Sequence, residues 1–102
     1  MHLVQLLLPL YNNAGQRLAN ELYTQVRDEL LDRFGGMTGY TRAPVSGLWQ
    51  GSEGRTVRDE LIVYEVMVET IDEQWWRQYR ATLEKRFQQE SLVVRAYQIV
   101  ML

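Results

Sequence analysis

Four residues of this chain have types and spacing suited to chemistry: Gln5, Glu65, Arg95 and Tyr97. They supply an amide, a carboxylate, a guanidinium and a phenol. Gathered in a cleft, the Glu65 carboxylate or the Tyr97 phenol would move a proton, while the Arg95 guanidinium or the Gln5 amide would hold an oxyanion. The same groups also have a purely structural use, in which Glu65 and Arg95 neutralise each other with Gln5 bridging them, because a lone buried charge is costly. The sequence leaves both uses open. His2 is the lone histidine, so it has no second imidazole with which to chelate a metal. The absence of cysteine removes disulfides, thiolate metal sites and thiol catalysis. No cofactor and no metal is expected.

Whether the four residues meet depends on the elements that carry them. Strand side chains alternate between two faces, so residues 58–69, RDELIVYEVMVE, divide into two sets. Ile62, Tyr64, Val66 and Val68 form a clean apolar face. Leu61, Val63, Glu65, Met67 and Glu69 form a face interrupted by two carboxylates. A strand apolar on both sides belongs inside a sheet. Residues 2–10 read the same way, with Val4, Leu6 and Leu8 opposed to Leu3, Gln5 and Leu7. Residues 91–101 set Leu92, Val94 and Ala96 against Val93, Arg95, Tyr97 and Ile99. Residues 37–50 form a further strand broken around Pro44, which places it at a sheet edge, since proline cannot donate to a ladder. Gly51-Ser52-Glu53-Gly54 then turns the chain back into the central strand.

Two helices complete the pattern. In residues 17–34, Leu18, Leu22, Val26, Leu30 and Phe34 recur every four positions, flanked by Ala19, Tyr23 and Leu31. Asn13 with Gln16 gives a weak capping signal before it, and Gly35-Gly36 ends it. Thr70-Ile71-Asp72-Glu73 is a stronger capping box, opening a helix that reaches about Gln89 and buries Trp76, Tyr79, Leu83 and Phe87. Trp75 and Trp76 lie about 100° apart on that helix, so one enters the core while its neighbour sits at the boundary. Trp49 falls near the hairpin tip, where it caps a cleft mouth or packs on a partner. The charged runs Arg27-Asp28-Glu29 and Glu84-Lys85-Arg86 read as solvated helix faces.

The order is β-α-β-β-α-β over one domain, residues 1–102. This is the ferredoxin-like α+β arrangement, an antiparallel four-stranded sheet of order 4-1-3-2 with both helices on one face. The bare face then carries Leu3, Gln5, Leu7, Leu61, Val63, Glu65, Met67, Val93, Arg95, Tyr97 and Ile99. Monomers rarely leave so apolar a face in water, which predicts a homodimer formed by stacking two such faces. A net charge of −2, with no stacking aromatics at RNA-binding positions, argues against a nucleic-acid partner. The apolar start MHLVQLLLPL is too short for a membrane span and has no basic region or cleavage site, so it reads as a strand. A cytoplasmic protein with no membrane partner is expected. The loop YNNAGQR is no phosphate-binding motif, nor is it the loop of an acylphosphatase.

The run GLWQGSEGRTVRDELIVYEVMV, followed by RFQQESLVVRA, resembles small bacterial proteins of the dimeric α+β-barrel superfamily. The C-terminal half is similar to a lipoprotein family of unknown function, through Gly47, Trp49, Gly54 and Glu60, then Phe87, Gln89, Glu90 and Ser91. The lipid-accepting cysteine of that family is absent, so lipidation does not carry over. The superfamily resemblance implies a dimer, and it spans cofactor-free monooxygenases, isomerases, haem-degrading enzymes and ligand-sensing domains. The haem branch is disfavoured, because no histidine stands near a helix end to act as axial ligand. Two functions follow as expectations. One is a non-catalytic homodimeric module for binding a small ligand or another protein. The other is a cofactor-free oxygenase or isomerase acting on a small aromatic or polyketide-like compound, with Gln5, Glu65, Arg95 and Tyr97 in its cleft.

Overall fold

A computed structural model describes residues 1–42 and 60–102. The elements run β1 (His2–Pro9), α1 (Asn20–Phe34), β2 (Thr38–Arg42), β3 (Leu61–Val68), α2 (Glu73–Arg86) and β4 (Val93–Gln98). Among the described residues the strands form one antiparallel sheet ordered β2-β3-β1-β4, the expected order read from the other edge. The protein is an α+β chain with the ferredoxin-like arrangement. Pro44, Trp49 and the 51–54 turn lie outside the described residues, as does the start of the 58–69 stretch.

Alternation decides which side of the sheet is dry. Val4, Leu6 and Leu8 of β1 and Val66 of β3 are buried beneath the helices, with Ile62, Tyr64, Val68 and Val94 packed partly against them. From α1 come Tyr23, Val26 and Leu30, and from α2 Trp76, Tyr79 and Leu83, followed by Phe87. Leu31, placed beside the stripe by its spacing, is instead 40% exposed. Of the tandem tryptophans, Trp76 enters the core and Trp75 stays half-buried, as their angular separation requires. Phe34 stacks on Trp76 at 5.3 Å and meets Trp75 edge-on at 5.5 Å. On the edge strand, Gly39 leaves room for the Tyr64 ring, whose carbons lie 2.9 Å from where a Cβ would stand.

Three local expectations need correcting. Asn13 and Gln16 do not cap α1, whose N-cap is Ala19 with no side-chain bond. Asn12 does the local work instead: its Oδ1 accepts from the backbone N–H groups of Ala14 and Gln16, closing a tight loop. That loop pairs Tyr11 with Arg17 and has Leu18 N–H donating to Leu10 O, so α1 starts three residues later than its spacing suggests. At α2 the cap is Asp72, not Thr70, with the Asp72 carboxylate accepting from Trp75 N–H at 3.1 Å. The charged runs are not wholly solvated either. Glu29 bridges the two helices by accepting from Arg86 at 2.7 and 3.1 Å and from the Tyr79 hydroxyl at 2.8 Å. Glu84 accepts from Leu92 N–H at 3.1 Å and so ties down the approach to β4.

The helix ends differ in an informative way. Gly35 caps α1 at φ 80°, where glycine meets no steric penalty. After α2 the same left-handed position is held by Gln88, at φ 56°. Gln89 N–H donates to Glu84 O and Gln88 N–H to Lys85 O, the paired bonds of a Schellman closure. Left-handed backbone costs a non-glycine residue about 1 kcal/mol. Gln88→Gly should therefore stabilise the fold by about 0.5–1 kcal/mol, read as a higher urea midpoint at unchanged slope.

Candidate functional site on the open sheet face

The register places the polar residues in one row. Gln5 of β1 stands opposite Glu65 of β3 on one side and Arg95 of β4 on the other, and Glu65 in turn faces Thr38 of β2. Since the three inner positions share a face by alternation, their side chains must meet. They do so as a relay. Gln5 Nε2 donates to Glu65 Oε2 at 2.6 Å, and Arg95 Nε donates to Gln5 Oε1 at 2.9 Å. These opposite demands fix the orientation of the Gln5 amide. Gln5 is 8% exposed, and among the described residues no buried side-chain polar atom lacks a partner.

Two sequence expectations change here. Glu65 and Arg95 are joined only through Gln5, and no ion pair forms between them within 4.0 Å among the described residues. Strand spacing explains this, because β1 separates their strands and puts them about 10 Å apart. Tyr97 lies one row away, opposite Leu3, and is 49% exposed, so it does not join the relay. The group that does join is Tyr40, whose hydroxyl donates to Glu65 Oε2 at 3.1 Å. Tyr40 pairs with Val63 and reaches diagonally to Glu65. Its alternation with Thr38 was visible in the sequence, but the β2–β3 register that brings it to Glu65 was not.

Among the described residues, the face around the row is apolar and partly exposed. Tyr40, Met67, Val93 and Tyr97 are 44–54% exposed. Val63, by contrast, is buried. Ile99 lies past the end of β4, although its N–H still donates to Met1 O. A cavity of about 270 Å³ lies elsewhere, between α2 and β4, over Val4, Trp76 and Val94 and beside Arg77 and Arg80. Of the four candidate site residues only Arg95 contributes to its lining, and Gln5, Glu65 and Tyr97 do not. Arg77 is paired with Glu73 at 3.1 Å and Arg80 lies 3.8 Å from Glu84, so the positive charge at its rim is largely answered. No group of three or more His, Asp or Glu able to hold a metal occurs among the described residues.

The described residues define a ferredoxin-like α+β arrangement whose sheet face opposite the helices is apolar and crossed by one hydrogen-bonded polar row. Comparison with models of known protein families and with curated protein sequences finds no match. Among the described residues no helix is long and apolar enough to cross a membrane.

Proposed function

We propose that this protein is a non-catalytic homodimeric interaction module that associates through the open sheet face. The observation that carries the reading is that Gln5, the amide at the centre of the polar row, is satisfied within the chain. Gln5 is spent on Glu65 and Arg95, and neither it nor Glu65 lines the cavity between α2 and β4. A catalytic carboxylate needs a pocket that brings a substrate atom within hydrogen-bond reach. The four exposed large apolar side chains around the row support the dimer, because desolvating them is the main gain available to two stacked sheets. The resemblance to dimeric α+β-barrel proteins points the same way. The oxygenase or isomerase alternative would need Glu65 or Tyr97 to reach a substrate held in a pocket, and neither lines the cavity between α2 and β4.

Sedimentation equilibrium tests the proposal. The expected result is a species of twice the 12.1 kDa chain mass at micromolar concentration. Met67→Lys, which sets an unpaired charge on the face, should shift that species to the monomer without unfolding it. A wild-type chain that stays monomeric at hundreds of micromolar would overturn the reading.

A further inference from the structure

The relay is incomplete at both ends, and the two ends match each other. Among the described residues nothing donates to Glu65 Oε1, and the two terminal NH₂ groups of Arg95 find no acceptor. Glu65 and Arg95 project on either side of Gln5, about 10 Å apart across three strands. Stacked sheets also lie about 10 Å apart, a gap that a long guanidinium side chain and a carboxylate fill together.

Two simple twofold axes stack this face on itself with the strands aligned. An axis lying along the polar row brings Glu65 over Glu65 of the partner subunit, and Arg95 over Arg95 of the partner subunit. Like charges facing each other in a desolvated gap are strongly unfavourable. An axis running parallel to β1 and passing over Gln5 exchanges the flanking strands instead. It sets Arg95 over Glu65 of the partner subunit, twice per dimer. The same rotation brings Tyr97 over Met67 of the partner subunit, because both residues pair with Leu3 in the register. These side chains are 49% and 54% exposed in the single chain, and sulfur–aromatic contact is favourable.

The geometry points to a second copy of this chain seated with its twofold axis along β1 over Gln5, so that Arg95 completes its hydrogen bonding on Glu65 of the partner subunit. The inference rests on the dimer proposed above and adds its register and its specificity. Relay and cross-pair then form one chain of hydrogen bonds through both subunits, with the two Gln5 amides at its centre. A partner with a different charge order on its sheet would leave one guanidinium and one carboxylate buried and unpaired, which selects against it.

Dimer dissociation constants of four chains test this: wild type, Glu65→Gln, Arg95→Gln, and the double reversal Glu65→Arg with Arg95→Glu. Each neutral variant should weaken the dimer roughly tenfold, and weakening should lessen in high salt. The double reversal should restore dimerisation to near wild-type strength, because the Gln5 amide, turned over, serves a relay of either polarity. A tighter dimer on Glu65→Gln would mean that like charges face each other and would overturn the inference. So would a dimer indifferent to both neutral substitutions. A wild-type chain that never dimerises would instead defeat the underlying proposal, which sedimentation of that chain alone reveals. Far-UV circular dichroism of each variant confirms that the comparison is between folded chains.

Discussion

Phe87→Ala should lower unfolding stability by about 3–5 kcal/mol, the range for truncating a fully buried aromatic. Phe87 has no exposed surface and stands where three parts of the fold meet. It ends α2 as the C-cap, with its N–H donating to Leu83 O at 2.8 Å. Its ring meets Tyr23 of α1 edge-on at 5.3 Å and 69°, and it belongs to the same buried cluster as Leu92, just before β4. Removing the ring opens a cavity among rigid elements that collapse only partly into it. Single domains are stable by about 5–15 kcal/mol, so the variant sits near the edge of folding. Phe87→Leu, which retains most of the volume, should cost clearly less. Urea titrations of the three chains decide it, and a loss below about 1 kcal/mol for the alanine variant would contradict this account of the core.

The second large effect comes from the clamp between the helices. The Glu29 carboxylate accepts two bonds from Arg86 and one from Tyr79, and these donors hold its pKa below the usual carboxylate value against the opposing push of burial. Arg86 is raised in turn, first by the same hydrogen bonds. Burial and the neighbouring carboxylate push the Tyr79 phenol well above its ordinary value. Side-chain exposures of 16% for Arg86 and 37% for Glu29 place the pair between the surface and buried regimes. Glu29→Ala should then cost about 1–2 kcal/mol at neutral pH, below the cost of breaking a fully buried pair.

The sign of the pH dependence follows from the directions of the shifts. A carboxylate with a depressed folded pKa contributes stability above its unfolded value of 4.5, and that contribution is lost as pH falls through the folded value. Tyr79, raised in the fold, contributes stability that is present below pH 10 and lost as pH rises beyond it. The gap between wild type and Glu29→Ala should therefore narrow below about pH 4.5. Urea midpoints measured from pH 3 to 7 give the gap directly, and a pH-independent difference would show that Glu29 acts through packing alone.

The sequence made the sheet legible because β1 and β3 alternate cleanly, which puts them inside the sheet with β2 at an edge. The meeting of Gln5, Glu65 and Arg95 was legible for the same reason, since face and strand order together force three opposed positions into contact. What stayed hidden depends on register and reach. Tyr40 joins Glu65 through a β2–β3 alignment that no local pattern encodes. The Glu29–Arg86 clamp links two charged runs 57 positions apart, each of which alone looks like a solvated helix face. Asp72 displaced Thr70 as cap because the capping pattern contains two residues able to do the job and spacing alone does not choose between them.

The most direct test of the open face as an assembly surface is an isotope-filtered NOE experiment on a mixture of labelled and unlabelled chains, observing methionine methyl groups. Within one chain Met67 and Tyr97 flank Leu3 about 10 Å apart, too far for a methyl–ring NOE. The account predicts intermolecular NOEs between the Met67 methyl and the Tyr97 ring that fade on dilution, while Met37, packed against the core, shows none. Intermolecular NOEs that avoid the sheet face, or none at any concentration, would contradict it.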